Sequence, residues 1–310
     1  MEPRLIPINV WIALHRGEAG WPRNLADQGF AIHRLEAPVS TSAGLTVVDG
    51  ISVRGEPATV LVTECKAGGS VENEQARRYA AMTPQDVYRF VGLPSKPDLW
   101  EIEPIYACLG EGRGGIRVDL DRLGLPFPLL VVDDRRVRLE AAAEDAVDSF
   151  SVKVPPGPPP RYVVVDGDSS EEELLEYLLP ELMAAASRGQ AFVRVDTLLQ
   201  SVMPYWDVYG PPAKKQLRTK ARAALVRAIE NKFPNDFAFE NTGQTQSLDR
   251  DIIRIISTPV RLDSRGRTQA WQRLQRGAAK VVGRAPTRPP APGQQIMFED
   301  LGLGSEVGDD

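Results

Sequence analysis

Glu64 and Lys66 stand two apart in "LVTECKAGG" (61–69), at the end of an apolar run, and strand side chains two apart share a face. The preceding stretch, "LTVVDGISVR" (45–54), carries Asp49, and only "GEP" with Ala58 separates it from "TVLVTECK". A four-residue loop over 55–58 pairs positions that sum to 113, which sets Asp49 opposite Glu64 with Cβ atoms about 5 Å apart. A loop of odd length turns Asp49 to the other face. In the even register two carboxylates oppose each other beside a lysine. Like charges that close repel and raise a pKa unless a cation lies between them. A hard ion, Mg2+ or alternatively Mn2+, takes one oxygen from each, keeps waters and accepts a phosphate oxygen. The backbone carbonyl of Cys65 is a further candidate ligand. Lys66 then orients or helps deprotonate the attacking water. These parts perform metal-assisted phosphodiester hydrolysis. The competing reading of an ExK tripeptide is a solvated ion pair.

The helix that follows adds two side chains. Gln75 and Tyr79 in "EQARRY" are four apart and share a helical face. Asp49, then Glu64-Cys65-Lys66, then Gln75 and Tyr79, resembles the D…(D/E)xK and QxxxY elements of the PD-(D/E)xK nuclease superfamily, RecB-type members included. The resemblance spans roughly residues 15–140 and implies a restriction endonuclease-like α/β core built on a mixed sheet. It also implies that Asp49 and Glu64 bind Mg2+, that Lys66 assists the nucleophile, and that Gln75 and Tyr79 position metal ligands or DNA backbone. Family members often carry a glutamate on an early helix; Glu18 and Glu36 compete for that role here. Cys65 itself reads as a small buried hydrophobe, with no histidine nearby to make it a nucleophile.

The elements around these residues follow from pattern. Strands are expected over 45–54 and 58–66, helices over 71–82 and 84–91, and strands over 99–110 and 127–139. "KVPPGPPPRY" (153–162), with five prolines, serves as a stiff connector and divides a nuclease-like domain (1–152) from a second one (163–262). The second domain reads as a serine-capped helix over 169–189, broken or kinked at Pro180, helices over 195–206 and 211–233, and two strands around "NTGQTQSLDR". That is the order of an α+β winged-helix domain. In its third helix Leu217, Ala221, Leu225, Ala228 and Ile229 form an apolar stripe. Lys214, Lys215, Arg218, Lys220, Arg222 and Arg227 lie mostly off it, as a DNA-binding face or a solvated one. Thr242, Gln244 and Gln246 in the wing loop are further candidates for phosphate contact.

From 263 the chain reads as a disordered tail. Between Ser264 and Pro290 it holds seven basic residues and no acid, which adds salt-sensitive affinity for a polyanion. "GQQIMFEDLG" near its end carries Gln294, Met297 and Phe298, and resembles the Q-x-x-(L/M)-F peptide by which bacterial repair proteins dock on the sliding clamp.

Composition narrows the classes. Two cysteines and two histidines rule out a disulfide framework and a Cys/His zinc site, and point to a reducing cytoplasm. No apolar run reaches the roughly 18 residues of a membrane span. A net charge of −5 means that any nucleic-acid contact is local. Only 8 of the 37 basic residues are lysine, so Lys66 is a departure from an arginine default. The expected activity is a Mg2+-dependent DNA endonuclease of restriction, antiviral defence or repair, with a homodimer if duplex cutting is symmetric. The alternatives are a DNA-binding regulator on a degenerate nuclease fold and an exonuclease component of a repair complex.

Overall fold

The computed structural model describes residues 2–93, 95–240 and 251–256. The described residues fall into two compact units, one within Met1–Val164 and Tyr205–Lys214, the other within Val165–Pro204 and the described residues from Lys215. No helix among the described residues is long and apolar enough to cross a membrane.

In the first unit the elements run α1 (Ile6–Arg16), α2 (Asn24–Asp27), β1 (Ala31–Thr41), β2 (Gly44–Arg54), β3 (Thr59–Lys66), α3 (Asn73–Ala80), α4 (Pro84–Phe90), β4 (Glu101–Leu109), α5 (Arg113–Leu123), β5 (Leu129–Asp133), β6 (Arg136–Glu140) and β7 (Phe150–Lys153). All seven strands join one sheet in chain order. Short turns join β1–β2, β2–β3 and β5–β6, and a nine-residue loop (141–149) joins β6–β7, all antiparallel, whereas the helical crossovers α3–α4 and α5 make β3–β4–β5 parallel. The result is a mixed sheet.

Covered strands read as unbroken apolar runs instead of alternating ones. Residues 59–64 are all buried, which explains the run "TVLVT" before the charged pair. On one face Val60 and Val62 join a core with Ala76 and Tyr79 of α3, Val87 of α4, Ile116 and Leu120 of α5, and Tyr106, Leu129 and Val131 of the sheet. The other face meets α1: a Cβ on Gly50 would lie 3.0 Å from the Trp11 ring, so glycine alone admits that indole. α4 starts as its sequence proposes, with Pro84 in the first turn and Thr83 and Asp86 forming a capping box.

Three expectations change. The single strand over 127–139 is two, β5 and β6, folded back at Asp134–Arg135. α1, α2, β1, α5 and β7 complete the unit beyond the expected elements. Past Lys153, the last residue of β7, the proline-rich stretch carries no regular structure, and its C-terminal end is held rather than free. Asn9 of α1 accepts from the backbone N–H of Tyr162 and Val163 at 2.6 and 2.8 Å and donates to the Val163 carbonyl at 2.8 Å.

The second unit runs α6 (Glu171–Ser187), β8 (Phe192–Arg194), α7 (Val195–Val202), α8 (Pro211–Lys232, whose first residues belong to the first unit), β9 (Phe237–Phe239) and β10 (Ile252–Ile255). A three-stranded antiparallel sheet is ordered β8-β10-β9. Ser170 caps α6 in a box with Glu173, and the helix continues unbroken through Pro180. Leu217, Ala221, Leu225, Ala228 and Ile229 are all buried, as an apolar stripe should be. Thr242, Gln244, Gln246, the tail from 263 and the Gln294, Met297 and Phe298 peptide lie outside the described residues.

Candidate active site

β2 and β3 pair from Arg54↔Thr59 to Gly50↔Thr63, so the four-residue loop and even register are the ones found. One step beyond the last pair, Asp49 stands across from Glu64. Its Oδ2 accepts the backbone N–H of Cys65 at 2.6 Å, which ties the end of β2 to the end of β3.

Glu64 is buried and fully engaged on one oxygen. Its Oε1 accepts from Gln75 Nε2 and from Lys66 Nζ, both at 2.8 Å. Its Oε2 accepts from the Tyr79 hydroxyl at 2.5 Å. Lys66 Nζ also donates to Gln75 Oε1 at 2.7 Å, so the amide faces the lysine with its oxygen and the carboxylate with its nitrogen. Gln75 and Tyr79, one helical turn apart on α3, thus both clasp Glu64. An ammonium has three protons and two are spent, which leaves one for an incoming group. A carboxylate has about four lone-pair positions; on Glu64 about one is left, at Oε2, and on Asp49 Oδ1 lies outside the Cys65 bond.

The charges do not balance. β1 and β2 pair Leu35↔Gly50 and Ala37↔Val48, so Glu36 faces Asp49 from the next strand. Glu36 takes a left-handed φ of 48°, unusual for a side chain of its size. Burial, and then the charges of Glu64 and Glu36, push the Asp49 carboxyl well above the usual carboxylate range, against the opposing pull of the Cys65 N–H and Lys66. Burial and the same three carboxylates raise the Cys65 thiol, which keeps it protonated and poorly nucleophilic. Glu18, the other contender for the early glutamate, is bonded instead to Arg16 at 2.5 Å and to the Tyr162 hydroxyl at 3.2 Å. Glu36 was legible only through the hairpin: the loop Ser42–Ala43 makes partners sum to 85, which brings 36 to 49.

Among the described residues no group of three or more His, Cys, Asp or Glu side chains is arranged to hold a metal ion. Mg2+ does not require one, since it keeps several waters and takes one or two carboxylates. The surplus of negative charge around Asp49, and the acceptors left over on Asp49 and Glu64, fit such an ion.

The loop after Lys66 is set by backbone contact. A Cβ on Gly115 would fall 2.0 Å from the Gly69 carbonyl oxygen, and one on Gly112 2.7 Å from that of Gly68. Asp119 of α5 accepts the Val71 N–H at 2.9 Å. The start of α5 thereby holds the stretch that joins Lys66 to α3.

The basic residues of α8 are largely spoken for. Arg218 makes a two-pronged pair with Asp196 at 2.7 Å, Arg222 meets Asp251 at 3.3 Å, and Arg227 meets Glu171 at 2.5 Å. Lys220 donates to the Gly167 carbonyl. Lys214 donates to the Asp207 carbonyl at 2.9 Å. Lys215 is exposed.

A family model described as the MJECL32 domain matches residues 5–93, a span that holds α1 through α4 and all of Asp49, Glu64, Lys66, Gln75 and Tyr79. No curated protein and no solved structure matches the chain.

Proposed function

We propose that the first unit is a Mg2+-dependent nuclease of the PD-(D/E)xK type that hydrolyses phosphodiester bonds in DNA. The observation that carries this is the meeting of Asp49 and Glu64 from adjacent strands, with Lys66 and Gln75 bonded to the same carboxylate. The run of strand, strand, helices, strand, helix, strand around that cluster supports a restriction endonuclease-like core.

In the reaction a water oxygen forms a bond to phosphorus as the bond to the leaving sugar oxygen breaks. The water's proton passes to solvent or a neighbouring base, and the departing oxygen takes one up. Asp49 and Glu64 would hold Mg2+ or Mn2+; such an ion, when bound, supplies a nucleophile at neutral pH and offsets charge on the phosphate. Lys66 gives its remaining N–H to a phosphate oxygen or the attacking water, where negative charge builds in the transition state. Gln75 and Tyr79 fix Glu64 so that little reorganisation is needed at that moment. Glu36 adds a third carboxylate next to Asp49 and so strengthens the demand for a cation.

For the second unit, the order α6, β8, α7, α8, β9, β10 and the sheet order β8-β10-β9 support a winged-helix-like fold. With Arg218, Arg222 and Arg227 paired to acids, Lys215 carries the DNA contact expected of α8 better than the arginines do. The regulator reading keeps the DNA contact and discards the chemistry. Incubation of the full chain with linear, circular and single-stranded DNA, with Mg2+ and with EDTA, separates the two. Metal-dependent cleavage supports the nuclease, and DNA left intact in every tube abandons it for the regulator.

A further inference from the structure

Tyr106 sits on β4 directly beside Glu64 in the parallel register. Its ring is wedged between Phe127, stacked at 6.2 Å, and Tyr79, edge-on at 6.2 Å, so its orientation is fixed by packing. The residue is wholly buried, yet its hydroxyl has no hydrogen-bond partner among the described residues. A buried hydroxyl left unmet costs the desolvation of a polar group, and natural cores rarely keep one without a reason. Glu64 is its register partner on β3, and Asp49 stands across from Glu64 on β2, so the orphan hydroxyl belongs to the residue that flanks the carboxylate pair in the sheet. An apolar neighbourhood stays dry, whereas a polar one with two or more partners holds a water.

We propose that Tyr106 is a further positioning residue of this site: its hydroxyl donates to an ordered water held against the Asp49 and Glu64 carboxylates. The inference rests on the nuclease reading for its purpose, since that water is in place to feed the attack on phosphorus. It does not rest on that reading for its existence. Tyr79 and Tyr106 then divide the labour, the first fixing Glu64 directly and the second fixing the solvent next to it.

The test is Tyr106→Phe in the full chain, read two ways. Thermal unfolding in EDTA reports on the water without any reaction. A dry orphan hydroxyl is a liability, so its removal raises the midpoint; a hydroxyl satisfied by water leaves with its water and the midpoint stays where it was. Cleavage of DNA in Mg2+, expressed per folded molecule, reports on positioning. The expected result is an unchanged midpoint and a kcat lower by about 10-fold or more at constant KM, the pattern of a group that serves the chemical step and not substrate binding. A raised midpoint, or an unchanged kcat in an active wild type, overturns the proposal. If the wild type cuts nothing, the nuclease reading falls by itself, and the EDTA midpoints still decide the water: no rise supports it and a rise removes it.

Discussion

Asp49 accepts the Cys65 N–H at 2.6 Å, so the carboxylate of one strand is anchored to the backbone of its neighbour one residue past Glu64. This anchoring makes the pair a rigid clamp and not two mobile surface acids. Isosteric changes should therefore abolish chemistry without unfolding the unit. Asp49→Asn, Glu64→Gln and Lys66→Met are each expected to lower Mg2+-dependent cleavage by about 100-fold or more. Gel-shift affinity for the same DNA in EDTA should hold. Cleavage that survives all three at wild-type rate would falsify the assignment of the site.

Asp49 also sets a pH dependence. Its folded-state pKa is raised, so between the ordinary carboxylate value and the raised one the folded chain holds a proton that the unfolded chain has lost. Its contribution to stability is complete below the ordinary value and disappears as pH rises through the raised one. In EDTA, Asp49→Asn should thus gain stability over the wild type as pH climbs above the ordinary carboxylate value towards the raised one. Mg2+ should narrow that gap at the upper end by binding the wild type. Urea unfolding at several pH values measures both; parallel stability curves for the two proteins contradict the charge surplus.

Much of this site could be read in advance because strand and helix periods are short-range. Alternation places Glu64 and Lys66 together, the i, i+4 rule places Gln75 over Tyr79, and an even hairpin loop brings Asp49 to Glu64. The contacts between Gln75, Lys66, Tyr79 and Glu64 could not be read, since they depend on how α3 crosses the sheet. Tyr106 was invisible for the same reason: its pairing with Glu64 runs through a parallel crossover some forty residues long (64 to 106). In α8 the basic residues were legible but their partners were not, because Asp196, Asp251 and Glu171 come from distant stretches. A helix face read from sequence shows charges and hides what neutralises them.

His15 provides an acid-side dependence of the opposite sign. It is buried against Trp11 at 4.3 Å, its Nδ1–H donates to the Trp11 carbonyl at 2.8 Å, and its Nε2 has no partner among the described residues. Protonation would bury an N–H with no acceptor there, and burial lowers the pKa from 6.5 to about 4. The unfolded chain then binds the proton first, so stability is full above pH 6.5 and falls towards pH 4, by at most about 3 kcal/mol. His15→Phe should flatten that limb of the profile. An unchanged slope between the two values would show that His15 reaches solvent in the fold.

The glycines at the start of α5 yield a packing prediction. A methyl at Gly115 meets the Gly69 carbonyl at 2.0 Å, and backbone cannot swing aside as a side chain can. Gly115→Ala gains a little in helix propensity, about 1 kcal/mol, but the clash forces the loop between Lys66 and α3 to move. The expected net result is destabilisation of about 1–3 kcal/mol with reduced cleavage. Gly114, where a methyl meets nothing within 4 Å, is the control, and Gly114→Ala should be neutral or stabilising. Equal unfolding midpoints for the two variants would refute the close backbone contact.

The basic residues of α8 are of two kinds, those paired to acids and those left exposed. Arg218 lies in a two-pronged pair with Asp196 and within 4.0 Å of Asp251, half-buried within its unit. Its truncation leaves Asp196 without its cation, while Asp251 keeps Arg222 at 3.3 Å, so Arg218→Ala should lower stability by about 1–3 kcal/mol. Its effect on DNA affinity should be small. Exposed Lys215 has no such role, and Lys215→Ala should leave stability within about 0.5 kcal/mol. If the helix lies along a phosphate backbone, that change weakens binding to all sequences alike and lowers the salt slope of log K by about 1. Salt titrations of the two variants distinguish these roles. A loss of affinity on removing Arg218 that matches or exceeds the loss on removing Lys215, with stability intact, would mean that the arginine leaves Asp196 for phosphate when DNA is bound.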